Sequence, residues 1–159
     1  MNAIHQLRTM HADTKVHFKL ILGTDDPASA KVQWEALQPL LALHEQLEDQ
    51  ILYTPLFEEM GAGTPLGDWE IQHDADVAIV QDLIRAASQL DPTSPEWRMA
   101  IGRVMDALNK HVNDEEGQIF GPIEEIWGPV RLDEVGEQMQ HMKEGATAPS
   151  KPAASQRER

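Results

Sequence analysis

Leu37-Gln38-Pro39-Leu40-Leu41-Ala42-Leu43-His44-Glu45-Gln46-Leu47-Glu48-Asp49-Gln50-Ile51 is the stretch whose periodicity decides the fold. Leu37, Leu41, His44, Glu48 and Ile51 recur three and four residues apart, the spacing of one face of an α-helix. His44 and Glu48 stand one turn apart on that face, so an imidazole and a carboxylate aim at the same point. The word returns as His111-x-x-x-Glu115, on a face with Trp97, Ile101, Val104, Leu108 and either Gln118 or Ile119.

Outward from these words the same period gives four long amphipathic helices and an all-α fold. Helix 1 is expected over about residues 3–22, with Ile4, Leu7, His11, Thr14, Phe18 and Ile21 inward and the turn Gly23-Thr24-Asp25-Asp26 behind it. Helix 2 begins at Asp26-Pro27, a capping side chain and then a proline, and runs to about Met60, with Trp34 and Pro55 extending its stripe. Pro39 lies inside it, where a lost backbone hydrogen bond predicts a kink. Helix 3 runs from Pro65 or Asp68 to Leu90 with His73, Val77, Val80, Ile84 and Ala87 inward. Helix 4 starts at Ser94-Pro95 and is expected to stop at Gly121-Pro122. Short connections between such helices favour an up-down-up-down four-helix bundle. Residues 123–127 then read as a short cap and 132–144 as a further amphipathic helix, within one domain over 1–144. Residues 145–159 hold no large apolar side chain and read as a disordered tail.

Composition narrows the function. With 159 residues and 41% hydrophobic content the chain can bury one real core. It has no cysteine, so any metal must be held by nitrogen and oxygen. A formal net charge of −14 opposes binding to nucleic-acid phosphates or anionic lipid. The N-terminus lacks the pattern of a secretory signal, and no run approaches the ~20 apolar residues that span a bilayer. A cytoplasmic protein is expected.

Spacing alone is weak evidence for a metal site. Fifteen glutamates in 159 residues place a Glu four after a given His about one time in ten by chance. Phase is stronger: His11, His44, His73, His111, Glu48 and Glu115 all interrupt apolar stripes, where an unpaired carboxylate costs several kcal/mol to bury. Any one of these histidines alone reads as a hydrogen-bonded core or surface residue; the six residues together read as metal ligands. Glu45, Asp49 and Glu116 lie about 100° around the helix from the inward face and read as solvated surface or as support for the ligands. Glu70-x-x-His73 is a single copy of a word that ferritin-like di-iron bundles need twice. His5, His17 and His141 fall off the inward stripes or near the ends, and Tyr53 reads as a packing residue or a hydrogen-bond partner of the site.

The words Met10-His11, Leu43-His44-Glu45-Gln46-Leu47-Glu48-Asp49 with Tyr53 and Pro55, Gln72-His73, and Lys110-His111-Val112-Asn113-Asp114-Glu115-Glu116 with Phe120 and Pro122 resemble the hemerythrin-like, or HHE cation-binding, domains over residues of about 5–127. The resemblance implies two iron ions joined by an oxo or hydroxo group, bridged by Glu48 and Glu115 and held by His11, His44, His73 and His111, with Glu45 matching a further carboxylate ligand of some members. Manganese or zinc suits the same donors. Oxygen-carrying hemerythrins use five histidines. Val77 stands here in place of the fifth, and Glu115 at +4 replaces their Asp at +5. The implied ligand is oxygen, peroxide or nitric oxide, and the resemblance points to redox or peroxide chemistry, with an iron or oxygen sensor or an iron-storage module as the alternative. Whether the protein is an enzyme, and its oligomeric state, stay open.

Overall fold

The computed structural model describes residues 1–147, and its described residues contain helices and no strand. Helix α1 spans Ala3–Gly23 and α2 spans Pro27–Leu47; α2 continues without a turn through a π-helical segment, Glu48–Tyr53, into α3, Thr54–Met60. Helix α4 spans Pro65–Ser88. Helix α5, Pro95–Asp114, passes through a second π-helical segment, Glu115–Ile119, into α6, Phe120–Thr147. Four long rods result, arranged as the expected bundle. The helix over 145–147 replaces the start of the expected tail, whose remainder lies outside the described residues.

The starts follow from local chemistry. Asn2, Asp26, Thr64 and Ser94 each accept a hydrogen bond from a backbone amide of the first turn, and Pro27, Pro65 and Pro95 fill first-turn positions that need no N–H. Helix α2 continues through Pro39, which removes one backbone hydrogen bond without ending the helix. The expected stop at Gly121-Pro122 does not occur. The helix runs on through residues 123–127, read from the sequence as a separate cap, and kinks at Gly128, whose φ of 74° and ψ of 169° are non-helical, before Pro129.

Both π segments begin at the glutamate of a His-x-x-x-Glu word, and in both a proline follows seven residues after that glutamate, Pro55 and Pro122. Proline clashes with the carbonyl four residues back, here that of Ile51 or Gln118. Each of those carbonyls lies in a widened π turn, which relieves the clash and lets the helix pass. The extra residue also rotates the downstream face. Leu52, Tyr53 and Leu56 become fully buried while Pro55, expected inward, is half-buried; Ile119, Phe120 and Ile123 turn inward on the other rod, and Gln118 outward.

Apolar side chains form two separate cores. One gathers Ile4, Leu7, Leu52, Leu56, Phe120 and Trp127 at the end closed by α3 and α6; the other gathers Phe18, Trp34, Leu37, Trp97, Ile101 and Val104. The segment after Gly128 covers the first core. There Gln6 donates to the Gly136 carbonyl at 2.8 Å, and a Cβ on Gly136 would meet the Met1 carbonyl oxygen at 2.1 Å. No helix among the described residues is long and apolar enough to cross a membrane.

Candidate metal centre

Between the two cores lies a polar layer. His11 falls between Leu7 and Phe18 on α1, His73 between Trp69 and Val80 on α4, His111 between Val104 and Ile119, and Glu48 between Leu37 and Leu52. Glu48 is 1% exposed, and Glu115 and His73 are fully buried. His11 and His111 are buried as well, and His44 is half-buried. The structure therefore brings together all six residues singled out by phase.

They meet as two groups that share both carboxylates. His11, His44, Glu48 and Glu115 offer donor atoms within 4.8 Å of one another, and so do Glu48, His73, His111 and Glu115. In the first group His11 Nε2 lies 3.1 Å from His44 Nε2 and 3.3 Å from Glu115 Oε1, and His44 Nε2 lies 3.0 Å from Glu48 Oε2. In the second, His73 Nδ1 lies 3.3 Å from His111 Nε2 and 3.9 Å from Glu48 Oε1, and His111 Nε2 lies 3.5 Å from Glu115 Oε1. Ligands on one metal ion, each about 2.0–2.2 Å from it, are about 2.9–3.5 Å apart. Most of these separations fall in that range, and Glu48 Oε2 and Glu115 Oε1 are buried with no hydrogen-bond donor. Donor chemistry and spacing in both groups fit the binding of metal cations.

The groups behind the donors are also placed. Asp76 Oδ2 stands 2.7 Å from His111 Nδ1, and Glu116 Oε2 stands 2.6 Å from His11 Nδ1. With Nδ1 protonated and donating to the carboxylate, each ring turns its Nε2 lone pair to the centre. Glu116 thus contacts the ring of His11 from behind and is not wholly solvated surface. Asp76 was not visible beforehand; its position three residues after His73 puts it on the same side of α4, but the sequence offers many such acids. Tyr53 donates its hydroxyl proton to Glu115 Oε2 and is fully buried, edge-on to Trp69 and His73.

Glu45 belongs to neither donor group; it stands half-buried in the wall of a cavity beside them. Glu70 also stays out, accepting a hydrogen bond from Thr54 at 2.9 Å, so His73 is the only part of Glu70-x-x-His73 that reaches the centre.

Electrostatics hold the layer together in the protein itself. Burial disfavours the charged form of His11, but the carboxylates of Glu115 and Glu48 outweigh it and raise its pKa to about 10. The same contest, with Asp76 added, raises His111 to about 9. Burial would raise the Glu48 carboxyl, yet the imidazoles of His44 and His11 hold it well below the usual range. Burial, and then the charges of Glu115 and Glu48, push the Tyr53 phenol well above its ordinary value.

The cavity, of about 260 Å³, opens between α2 and α4 and ends at His44, Glu48, His73 and His111. Its walls include Leu41, Val77, Val80, Ile84 and Leu108. Four of these, all but Val80, are only half-buried although they belong to inward stripes, because α2 and α4 scarcely pack on one another.

Residues 2–123 match the family described as the hemerythrin HHE cation binding domain. A curated relative, the "DNA nickase" of Nostoc sp. (strain PCC 7120 / SAG 25.82 / UTEX 2576), is 21% identical over 123 residues, 77% of this chain and 34% of the relative. The chain thus spans about a third of that relative's length. No solved structure matches the chain.

Proposed function

We propose, for a chain that belongs to the hemerythrin HHE cation-binding family, that the His4Glu2 layer holds two iron ions and that the protein binds or reacts with peroxide, oxygen or nitric oxide there. The observation that carries this reading is the pair of donor groups sharing Glu48 and Glu115. His11 and His44 would serve one ion and His73 and His111 the other. Imidazole and carboxylate donors also accept manganese or zinc; family membership is what favours iron.

An iron pair supplies one- and two-electron redox chemistry that side chains lack. The chain's own part is separable from it. Asp76 and Glu116 fix the tautomers of His111 and His11, and Tyr53 holds Glu115 by a hydrogen bond. The cavity between α2 and α4 favours a reacting centre over a storage module, since storage needs no room for an organic or diatomic ligand. Nicking of DNA is said of the Nostoc relative; a formal net charge of −14 opposes carrying it over.

Metal analysis of untagged protein, grown in iron-rich medium, tests the reading. About two iron atoms per chain and a near-ultraviolet charge-transfer band in the oxidised protein are expected. Less than half an equivalent of any transition metal would sink it.

A further inference from the structure

His44, Glu48, His73 and His111 line a space much larger than a diatomic molecule needs. An apolar cavity of roughly 150 Å³ takes benzene, with its six carbons. By proportion, the 260 Å³ here accommodates about ten non-hydrogen atoms. Leu41, Val77, Val80, Ile84 and Leu108 give it an aliphatic stretch, and the acids Glu45, Glu48 and Asp76 line it together with the imidazoles of His44, His73 and His111. An occupant of matching chemistry has an aliphatic body and a small oxygen head that can donate to the acids and accept from the imidazoles beside them.

We propose that the cavity between α2 and α4 binds a medium-chain aliphatic hydroperoxide, with its tail along Leu41, Val77 and Ile84 and its O–O–H head at the end formed by His44, Glu48, His73 and His111. This rests on reading that end as the iron centre. A reduced metal pair held there would supply two electrons, one per ion; with two protons from solvent the O–O bond would break and the products would be the aliphatic alcohol and water. No bond to the protein forms.

Linear primary alcohols from butanol to dodecanol are inert analogues of the product, and calorimetric titration of the protein as purified reads their binding. Each added methylene should tighten binding about fourfold up to about eight to ten carbons, after which affinity levels off. Val77→Phe fills the wall, and Ala42→Phe, at an exposed rim position of α2, narrows the mouth. Either should weaken octanol binding at least tenfold while leaving metal content and helical circular dichroism unchanged. Octanol affinity that ignores both substitutions, or that does not depend on chain length, overturns the proposal. Mixing the reduced protein with octyl hydroperoxide completes it: one octanol should form per two ferrous ions oxidised, and no octanol would overturn the assignment of substrate. Protein purified without iron would defeat the functional reading above, yet the alcohol titration would still report on the cavity.

Discussion

Loading metal into chelator-stripped protein should release about two protons from His11 and His111 at pH 7.5. Metal ligation needs neutral imidazole, so every histidine that is protonated beforehand must give up its proton. His11 titrates at about 10 and His111 at about 9, because the buried carboxylates outweigh the cost of burying their charge. At pH 7.5 both are then protonated in more than about nine-tenths of molecules, which makes about two protons from this pair. Two histidines with the ordinary value of 6.5 would together give only about 0.2. The contrast is tenfold. Zinc is the suitable probe, being redox-inert and served by the same donors.

Calorimetry in buffers of different ionisation enthalpy measures the count directly as the slope of observed heat against buffer heat. The apparent affinity for the pair of ions should also rise about a hundredfold per pH unit between pH 6.5 and 8.5, two protons being displaced across that window. A count below one proton would refute the reasoning, because it would mean that His11 and His111 are not held charged by Glu48 and Glu115.

Glu48→Ala and Glu115→Ala should each lose both ions together, since each carboxylate serves both donor groups, whereas His73→Ala should weaken chiefly one; a glutamate variant that keeps one fully occupied ion, by metal analysis, speaks against a bridge. Asp76→Asn should weaken metal binding about 10- to 100-fold with unchanged helical circular dichroism, through loss of its contact with His111 Nδ1. Metal-free protein should melt lower than loaded protein and lose stability as pH rises from about 6.5 through 10. The raised histidine values of about 10 and about 9 give stability that is full below 6.5 and gone above the folded values, while the lowered Glu48 value gives stability lost only on acidification. A flat melting profile across that range would contradict this. Reduced protein should be oxidised in air without a long-lived oxygen adduct; a stable, reversible oxygen spectrum by stopped flow would restore oxygen storage as its function.

Much of this was legible in the sequence because burial imposes phase. The four rods, their capped starts and the six converging residues all follow from where apolar side chains recur and what interrupts them. What a 3.6-residue period does not carry is a single-residue change of register, so the π segments were invisible to it. They left a trace in Pro55 and Pro122, each seven residues after a site glutamate. Taken as a stop signal, Pro122 placed the end of the fourth helix too early; the widened turn at Gln118 is what lets the helix pass. Asp76 went unseen because one acid among twenty-seven carries no mark of its partner. The cavity was beyond reach for a different reason. It is the distance between two helices, and each stripe reports only that its own face is apolar.

The polar layer splits the core, which ought to cost the bundle stability, and two features limit that cost. Each half has its own set of fully buried large side chains, Leu7, Leu52, Leu56 and Phe120 on one side and Trp97, Leu37, Ile21 and Ile101 on the other, and each such residue contributes about 1.5–3 kcal/mol. The layer is also compensated by protons in the metal-free protein. Protonated His11 and His111 offset the charges of Glu48 and Glu115, so removing metal exchanges one set of positive charges for another and does not leave bare carboxylates in the core. Two carboxylates buried among four neutral imidazoles would have no such substitute. On the proposed reading, protons on His11 and His111 would take over part of the charge of departing cations, and metal would bind more tightly as protons become scarce.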